Sequence, residues 1–327
     1  MSSILASPSL YASICGVTVA LWSFKYYNVM ANKTCDKSIR LDGKTAIVTG
    51  ANTGIGYEVA RDFAKRGAKV IMACRDMTKA EAAKSIIVQE TGNHQVLVKK
   101  VDFASLKSVR EFAKDMLATE SKINILVNNA GAGGLGDRKS EDGLHLGMQV
   151  NHFGPFLLTN LLLGRLKESK PARVVVVSAM GHKFADIDPE DMNMEKKKLR
   201  DTMVYCNSKL ANILMANEIA RRFEGKGVTA NSNHPGVVMT EIFRNLPGWF
   251  RVPLHGIIKV FYKTAEEGAQ TTVYLAISPE VENVTGKYFV DSEEASMSLK
   301  AQDEEFARTV WDACEQCVKL QPDEKHY

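Results

Sequence analysis

Beyond residue 40 the chain alternates between two hydrophobic periods. Short β-branched runs, Thr45 to Thr49, Lys69 to Cys74, Gln95 to Val101, Ile123 to Asn128 and Arg173 to Ser178, read as buried strands. Between them lie segments with apolar residues at helical spacing, such as Glu58 to Arg66 after the first run. This alternation predicts an α/β fold, a single doubly wound parallel sheet with helices on both faces and ligands beyond the carboxyl ends of its strands. No Pro-rich linker, composition break or internal repeat interrupts the pattern from about 41 to about 296. A further helical pattern, from about 303 to 318, carries no chemistry and is expected to pack on the body.

The amino terminus has a different pattern. Met1 to Phe24 contain no charged side chain, and from Ser9 onward they are mostly apolar, with Trp22, Tyr26 and Tyr27 at the far end. A helix crossing a bilayer needs about 20 apolar residues, so this is a marginal span that would have to extend past Pro8 or let Lys25 snorkel to the headgroups. A cleaved signal peptide would carry basic residues before its apolar stretch, and none occur here. The expectation is a membrane anchor over 1–30; a signal peptide and a buried or interfacial helix are the alternatives. Lys25, Lys33, Lys37, Arg40 and Lys44 follow the segment, so the body would face the cytosol. The expected division is 1–30 anchor, 40–319 catalytic body and 320–327 tail.

Composition narrows the field. With 45% hydrophobic and 24% charged residues the body can bury a core, and a net charge of +4 leaves no electrostatic footprint for nucleic acid. Six cysteines are too sparse for a disulfide framework, and Cys314-x-x-Cys317 has no second pair to complete a zinc site, so no metal is expected.

The first strand runs into Thr49-Gly50-Ala51-Asn52-Thr53-Gly54-Ile55-Gly56, and a helix follows. Glycines at this spacing let the backbone turn sharply and approach a pyrophosphate at a helix amino terminus, where unpaired N–H groups and the positive dipole end face the anion. That is a Rossmann-type dinucleotide site. An acidic residue closing the second strand would hold the adenosine ribose, but this strand ends in Cys74-Arg75, and a guanidinium there attracts a 2′-phosphate. NADP(H) is therefore favoured over NAD, unless Arg75 merely pairs with Asp76.

With the further elements Val101-Asp102, Asn128-Asn129-Ala130-Gly131, Asn151, Ser178, Tyr205-x-x-x-Lys209 and His234-Pro235-Gly236 followed by Thr240, the chain resembles the short-chain dehydrogenase/reductase family. Its nearest branch is similar to the membrane-anchored, NADP-preferring retinol dehydrogenases. The resemblance spans about 40 to 319 and implies the catalytic set Asn151, Ser178, Tyr205 and Lys209. It also implies cofactor contacts from Gly50, Asn52, Thr53, Gly54, Ile55 and Gly56, from Asp102, Phe103, Asn129, Ala130 and Gly131, and from Pro235, Gly236, Val238 and Thr240. Lys209 would bind the nicotinamide ribose as well, Tyr205 would stand beside the ring, and Asn151 would keep a water relay.

The residues themselves support part of this. Tyr205 and Lys209 are four apart in a helical pattern and so project from one face. A phenol of ordinary pKa about 10 carries protons poorly at neutral pH, and a nearby ammonium would bring it down. Ser178 ends a strand without a Gly-x-Ser-x-Gly elbow, so it is expected to hold the substrate oxygen rather than attack carbon.

Two stretches depart from the shortest members of that family: the charged insert His182 to Arg200, which reads as a flap bordering the substrate cleft or as a solvated loop, and the apolar 242–262, which reads as a lipophilic lid. The reading is an NADP-dependent oxidoreductase interconverting a lipophilic aldehyde or ketone and its alcohol. The resemblance implies retinal and retinol; other lipid aldehydes, steroids or terpenoids are the alternatives, and a catalytically silent nucleotide-sensing protein is the rival from another class. The resemblance leaves the membrane open between endoplasmic reticulum and mitochondrion, and a homodimer open as the assembly.

Overall fold

The β-branched runs become the strands that their pattern predicts. β1 (Thr45–Thr49) and β2 (Lys69–Cys74) keep the bounds read from the sequence; β3 (Val96–Lys100), β4 (Ile125–Asn128) and β5 (Ala172–Val177) differ at their ends by one or two residues. The structure is a computed structural model that describes residues 35–236, 238 and 263–327. The expected anchor over 1–30, the apolar stretch 242–262 and Thr240 lie outside the described residues. Among the described residues no helix is long and apolar enough to cross a membrane.

Three further strands, β6 (Val228–His234), β7 (Tyr288–Val290) and β8 (Glu293–Glu294), complete an eight-stranded sheet of order β3-β2-β1-β4-β5-β6-β7-β8. All neighbours pair in parallel except β7 and β8, which are antiparallel. β6 breaks the hydrophobic rule for a central strand, since Asn231, Ser232, Asn233 and His234 are all buried. Its side-chain amide nitrogens find partners, Asn231 Nδ2 donating to Val284 O at 2.7 Å and Asn233 Nδ2 to Thr272 Oγ1 at 3.1 Å, while Asn233 Oδ1 and His234 Nδ1 are buried without a hydrogen bond among the described residues.

The longer helices among the described residues are α1 (Gly54–Lys65), α2 (Met77–Thr91), α3 (Leu106–Thr119), α4 (Gly154–Glu168), α5 (Asp201–Arg222), α6 (Ala265–Ile277) and α7 (Glu304–Val318). Val59 of α1, Ile87 of α2 and Val273 of α6 join one apolar core, and Phe112 of α3, Leu158 of α4, Ile213 of α5 and Val310 of α7 join another. The two cores cover the two faces of the sheet, as a doubly wound arrangement requires. A π-helical turn, Gln149–Phe153, leads into α4. Such wide turns are rare and gather at functional sites.

Two peripheral stretches, the insert and the tail, are held down. In the insert, 3₁₀ turns form at Met180–Phe184 and Pro189–Asp191, and His182, Ile187 and Met192 are buried, so it is not a wholly solvated loop. In the tail, Arg110 Nε donates to Glu324 Oε1 at 2.8 Å, and the Arg222 guanidinium carbon lies 4.5 Å from the centre of the Tyr327 ring.

Candidate active site

The carboxyl ends of the central strands open on one cleft of about 740 Å³. Its nucleotide end is made by β1 and the turn into α1. Gly50 (φ +66°) and Gly54 (φ +59°) hold left-handed backbone that favours glycine. Thr53 stands at the N-cap of α1, but its side chain makes no capping bond, so the first-turn amides are left for another acceptor. Gly56 does not line the cleft. A Cβ there would meet Gly50 O at 2.5 Å and Asn129 Nδ2 at 2.4 Å, so its task is close packing beneath the turn. Thr49 ties this turn to the next strand: its hydroxyl donates to Val127 O at 3.2 Å and accepts from the amides of Asn129 and Ala130, each at 3.0 Å.

At the end of β2 the Arg75 side chain is exposed, lines the cleft and makes no ion pair among the described residues. Pairing with Asp76 is thereby set aside. Asp76 caps α2 instead, accepting from Lys79 N at 3.1 Å. Lys79, which sequence reasoning missed, reaches the same wall as a second cation. Its position one turn into α2 beside Arg75 was the signal available. These features suit a dinucleotide carrying an extra phosphate: open amides, a glycine cradle that a Cβ would fill, and unpaired cations.

The other end is built by β5, β6 and α5. Ser178 is 2% exposed, and its Oγ donates to Lys209 O at 2.7 Å. Lys209, 3% exposed, donates from Nζ to Val177 O at 3.0 Å. Burial draws its amine down to about 8. Nζ stands 5.5 Å from the centre of the Tyr205 ring. Burial pushes the phenol up to about 12, against the expectation that the ammonium would bring it down. The reason is geometric: Nζ is turned onto a carbonyl, and desolvation of the phenolate dominates.

Asn52, Thr53, Ile55, Asp102, Phe103, Asn129, Ala130, Gly131, Pro235, Gly236 and Val238 all line the cleft with Ser178, Tyr205 and Lys209. Asn151 does not line it. Its side chain, on the π-helical turn, accepts from Ala132 N at 2.7 Å and donates to Ala132 O at 2.9 Å, which braces the loop after β4 from behind. Leu135, Leu146, Val150 and Met180 give the cleft apolar wall that the sequence reading placed only in 242–262. Gly147 explains how Leu146 reaches it, because a Cβ at 147 would meet Val204, next to Tyr205, at 2.9 Å. His234 lines the cleft too, with burial drawing its imidazole down to about 4. Among the described residues no cluster of His, Cys, Asp or Glu could hold a metal ion.

Residues 44–249 match the family model described as short chain dehydrogenase. The chain is 45% identical to retinol dehydrogenase 11 of Mus musculus over 290 residues, 88% of this chain and 90% of that one. It is 42% identical to retinol dehydrogenase 13 of the same organism over 327 residues, 98% of this chain and 96% of the relative. Among solved structures, an uncharacterized protein from Mycobacterium paratuberculosis is 32% identical with a TM-score of 0.71, the match covering 88% of this chain and 98% of that chain.

Proposed function

The chain belongs to the short-chain dehydrogenase family, and from that premise we propose that it is an NADP(H)-dependent oxidoreductase interconverting a lipophilic aldehyde or ketone and its alcohol, with retinal and retinol as the foremost pair. An oxidoreductase acting between a CH–OH carbon and a carbonyl is what family membership establishes; the phosphate on the cofactor and the retinoid are the proposal. The observation that carries it is a juxtaposition. Ser178, Tyr205 and Lys209 stand at one end of a cleft whose other end is a glycine turn flanked by unpaired Arg75.

Bound in this cleft, the nicotinamide would give up or accept the hydride. The turn 50–55 would hold the pyrophosphate on backbone N–H groups, and Arg75 with Lys79 would take the 2′-phosphate. With its phenol pushed up to about 12, Tyr205 is protonated at neutral pH, which suits a general acid donating to the oxygen of a carbonyl being reduced. Ser178 Oγ spends its proton on Lys209 O and offers lone pairs to a neighbouring phenol or hydroxyl. Lys209, drawn down to about 8, is still mostly an ammonium at pH 7 and adds positive charge beside the phenol. The apolar wall of Leu135, Leu146, Val150 and Met180 excludes water and suits a hydrocarbon substrate.

The test is turnover of all-trans-retinal, a medium-chain aldehyde and a ketosteroid by the purified protein, with NADPH and with NADH. Retinal turned over fastest, and with NADPH, is the expected result. Retinal slowest by a wide margin would move the substrate to another lipid carbonyl, and equal use of NADH would remove the phosphate from the reading.

A further inference from the structure

Behind Lys209, buried polar groups that do not line the cleft, Asn212, His152 and Cys314, form a line that the chemistry above does not use. Val177 O accepts from Lys209 Nζ at 3.0 Å and from Asn212 Nδ2 at 3.4 Å. Asn212 Oδ1 lies 2.9 Å from His152 Nδ1, and His152 Nε2 lies 3.2 Å from Cys314 Sγ. Lys209 and Asn212 are each 3% exposed, His152 and Cys314 each 1%. The line crosses four elements: β5, α5, the π-helical turn and α7.

Each group leaves its neighbour one role. An Asn212 amide nitrogen that donates to a carbonyl leaves Oδ1 as the acceptor, so His152 Nδ1 must carry a hydrogen. Burial draws His152 down to about 4, so the ring is neutral and its Nε2 is bare. Burial also holds the Cys314 thiol protonated, and its S–H can donate to that nitrogen. The bonds then run in one direction: Cys314 to His152, His152 to Asn212, Asn212 to Val177 O.

Buried polar groups need partners anyway, but this line ends on the carbonyl that holds the Lys209 ammonium. Where Val177 O points decides where Nζ stands relative to Tyr205. We propose that His152 and Asn212 are positioning residues that fix the Val177 carbonyl, and through it Lys209 Nζ, with Cys314 of the carboxyl-terminal helix closing the line. The proposal rests on the role for Lys209 and Tyr205 given above. The titratable groups facing Lys209 are Tyr205 on its own helix, His152 on the π-helical turn and His234 at the end of β6.

The experiment compares His152→Asn with His152→Gln in full-length protein, reading NADPH-dependent turnover across pH together with Tm. An asparagine amide reaches the place of Nδ1 and can keep the donor to Asn212. A glutamine amide reaches the place of Nε2 and keeps only the contact to Cys314. His152→Gln is expected to lower kcat about tenfold, short of the ~100-fold that an ångström of misplacement costs. It should leave substrate KM within about twofold of wild type and displace the pH profile of kcat. His152→Asn is expected to recover most of kcat and the wild-type profile.

Equal impairment of the two variants, or losses that follow Tm with the pH profile unmoved, would make the line ordinary core packing. Should both variants fail to fold, Cys314→Ser and Cys314→Val repeat the comparison one step back. Serine, which keeps a donor, should then outperform the near-isosteric valine, and valine equal to or better than serine would overturn the proposal. Wild-type turnover that is lost in Tyr205→Phe tests the underlying reading separately, so a failed positioning role and a failed mechanism are told apart.

Discussion

The two ends of the cleft are built on opposite principles. At the β1–β2 end the backbone makes the surface: Gly50 and Gly54 turn through positive φ, Gly56 admits close packing, and Arg75 and Lys79 are exposed at the rim. At the β5–β6 end side chains make it. Ser178 and Lys209 are both nearly inaccessible, and each is hydrogen-bonded to a named backbone atom. A surface made by leaving side chains out binds an anion through N–H groups and tolerates little added volume. A surface made by clamping side chains sets their protonation through burial, here with the Tyr205 phenol up to about 12 and the Lys209 amine down to about 8. Affinity for the cofactor and the rate of the chemical step should therefore be separable by mutation.

The sharpest separation comes from Tyr205→Phe, which removes one oxygen from the clamped end. General acid catalysis of this kind contributes about 10²–10⁴-fold, so kcat should fall by that much. The NADPH Kd, measured by fluorescence titration, should stay within about threefold because the phenol is remote from the phosphate end. A variant retaining about half the wild-type kcat would mean the proton comes from elsewhere, and the contrast between the two ends would collapse.

The converse probe is Gly56→Ala. The added methyl would sit 2.5 Å from a backbone oxygen, Gly50 O, and 2.4 Å from Asn129 Nδ2. The side chain could swing away; the carbonyl belongs to the turn itself and could move only by deforming the phosphate cradle. Overpacking of this sort costs about 1–3 kcal/mol, so we expect a lowered Tm and NADPH binding weakened about tenfold or more. At saturating NADPH, kcat should recover most of its wild-type value. A variant with unchanged Kd and unchanged Tm would show that the turn is not packed as tightly as its spacing implies.

The nucleotide end was legible in the sequence because its signal is local. Gly50, Gly54 and Gly56 sit between a strand and a helix within a few residues, and both β1 and β2 ended where the β-branched runs end. The catalytic residues were legible only as a pattern shared with a family, since Ser178 and Tyr205 are brought together by tertiary folding. β6 was missed because a buried strand reading Asn-Ser-Asn-His looks like a loop until its partners Val284 and Thr272 are seen. Asn151 was found through the family pattern, and nothing local says that its amide would be committed to both backbone groups of Ala132. The elevated phenol was missed for the same reason. Spacing puts Lys209 on the Tyr205 face of the helix, but only the packed structure turns the ammonium onto Val177 O.

The smallest effect is expected from a side chain placed at the end where backbone dominates. Arg75 is exposed, so its interaction with a 2′-phosphate is partly screened, and Lys79 on the same wall shares the task. A hydrogen bond to a charged group is worth about 1.5–3 kcal/mol before that screening. Arg75→Asp should thus weaken NADPH binding by roughly tenfold, while NADH binding changes by less than about threefold. The ratio of the two dissociation constants is the informative quantity, because a general disturbance of the turn would weaken both cofactors alike. Adding Lys79→Asp should erase what preference remains. If the ratio did not move in the double variant, the phosphate would have to be selected by some other group, and the wall formed by Arg75 and Lys79 would be no more than a charged rim.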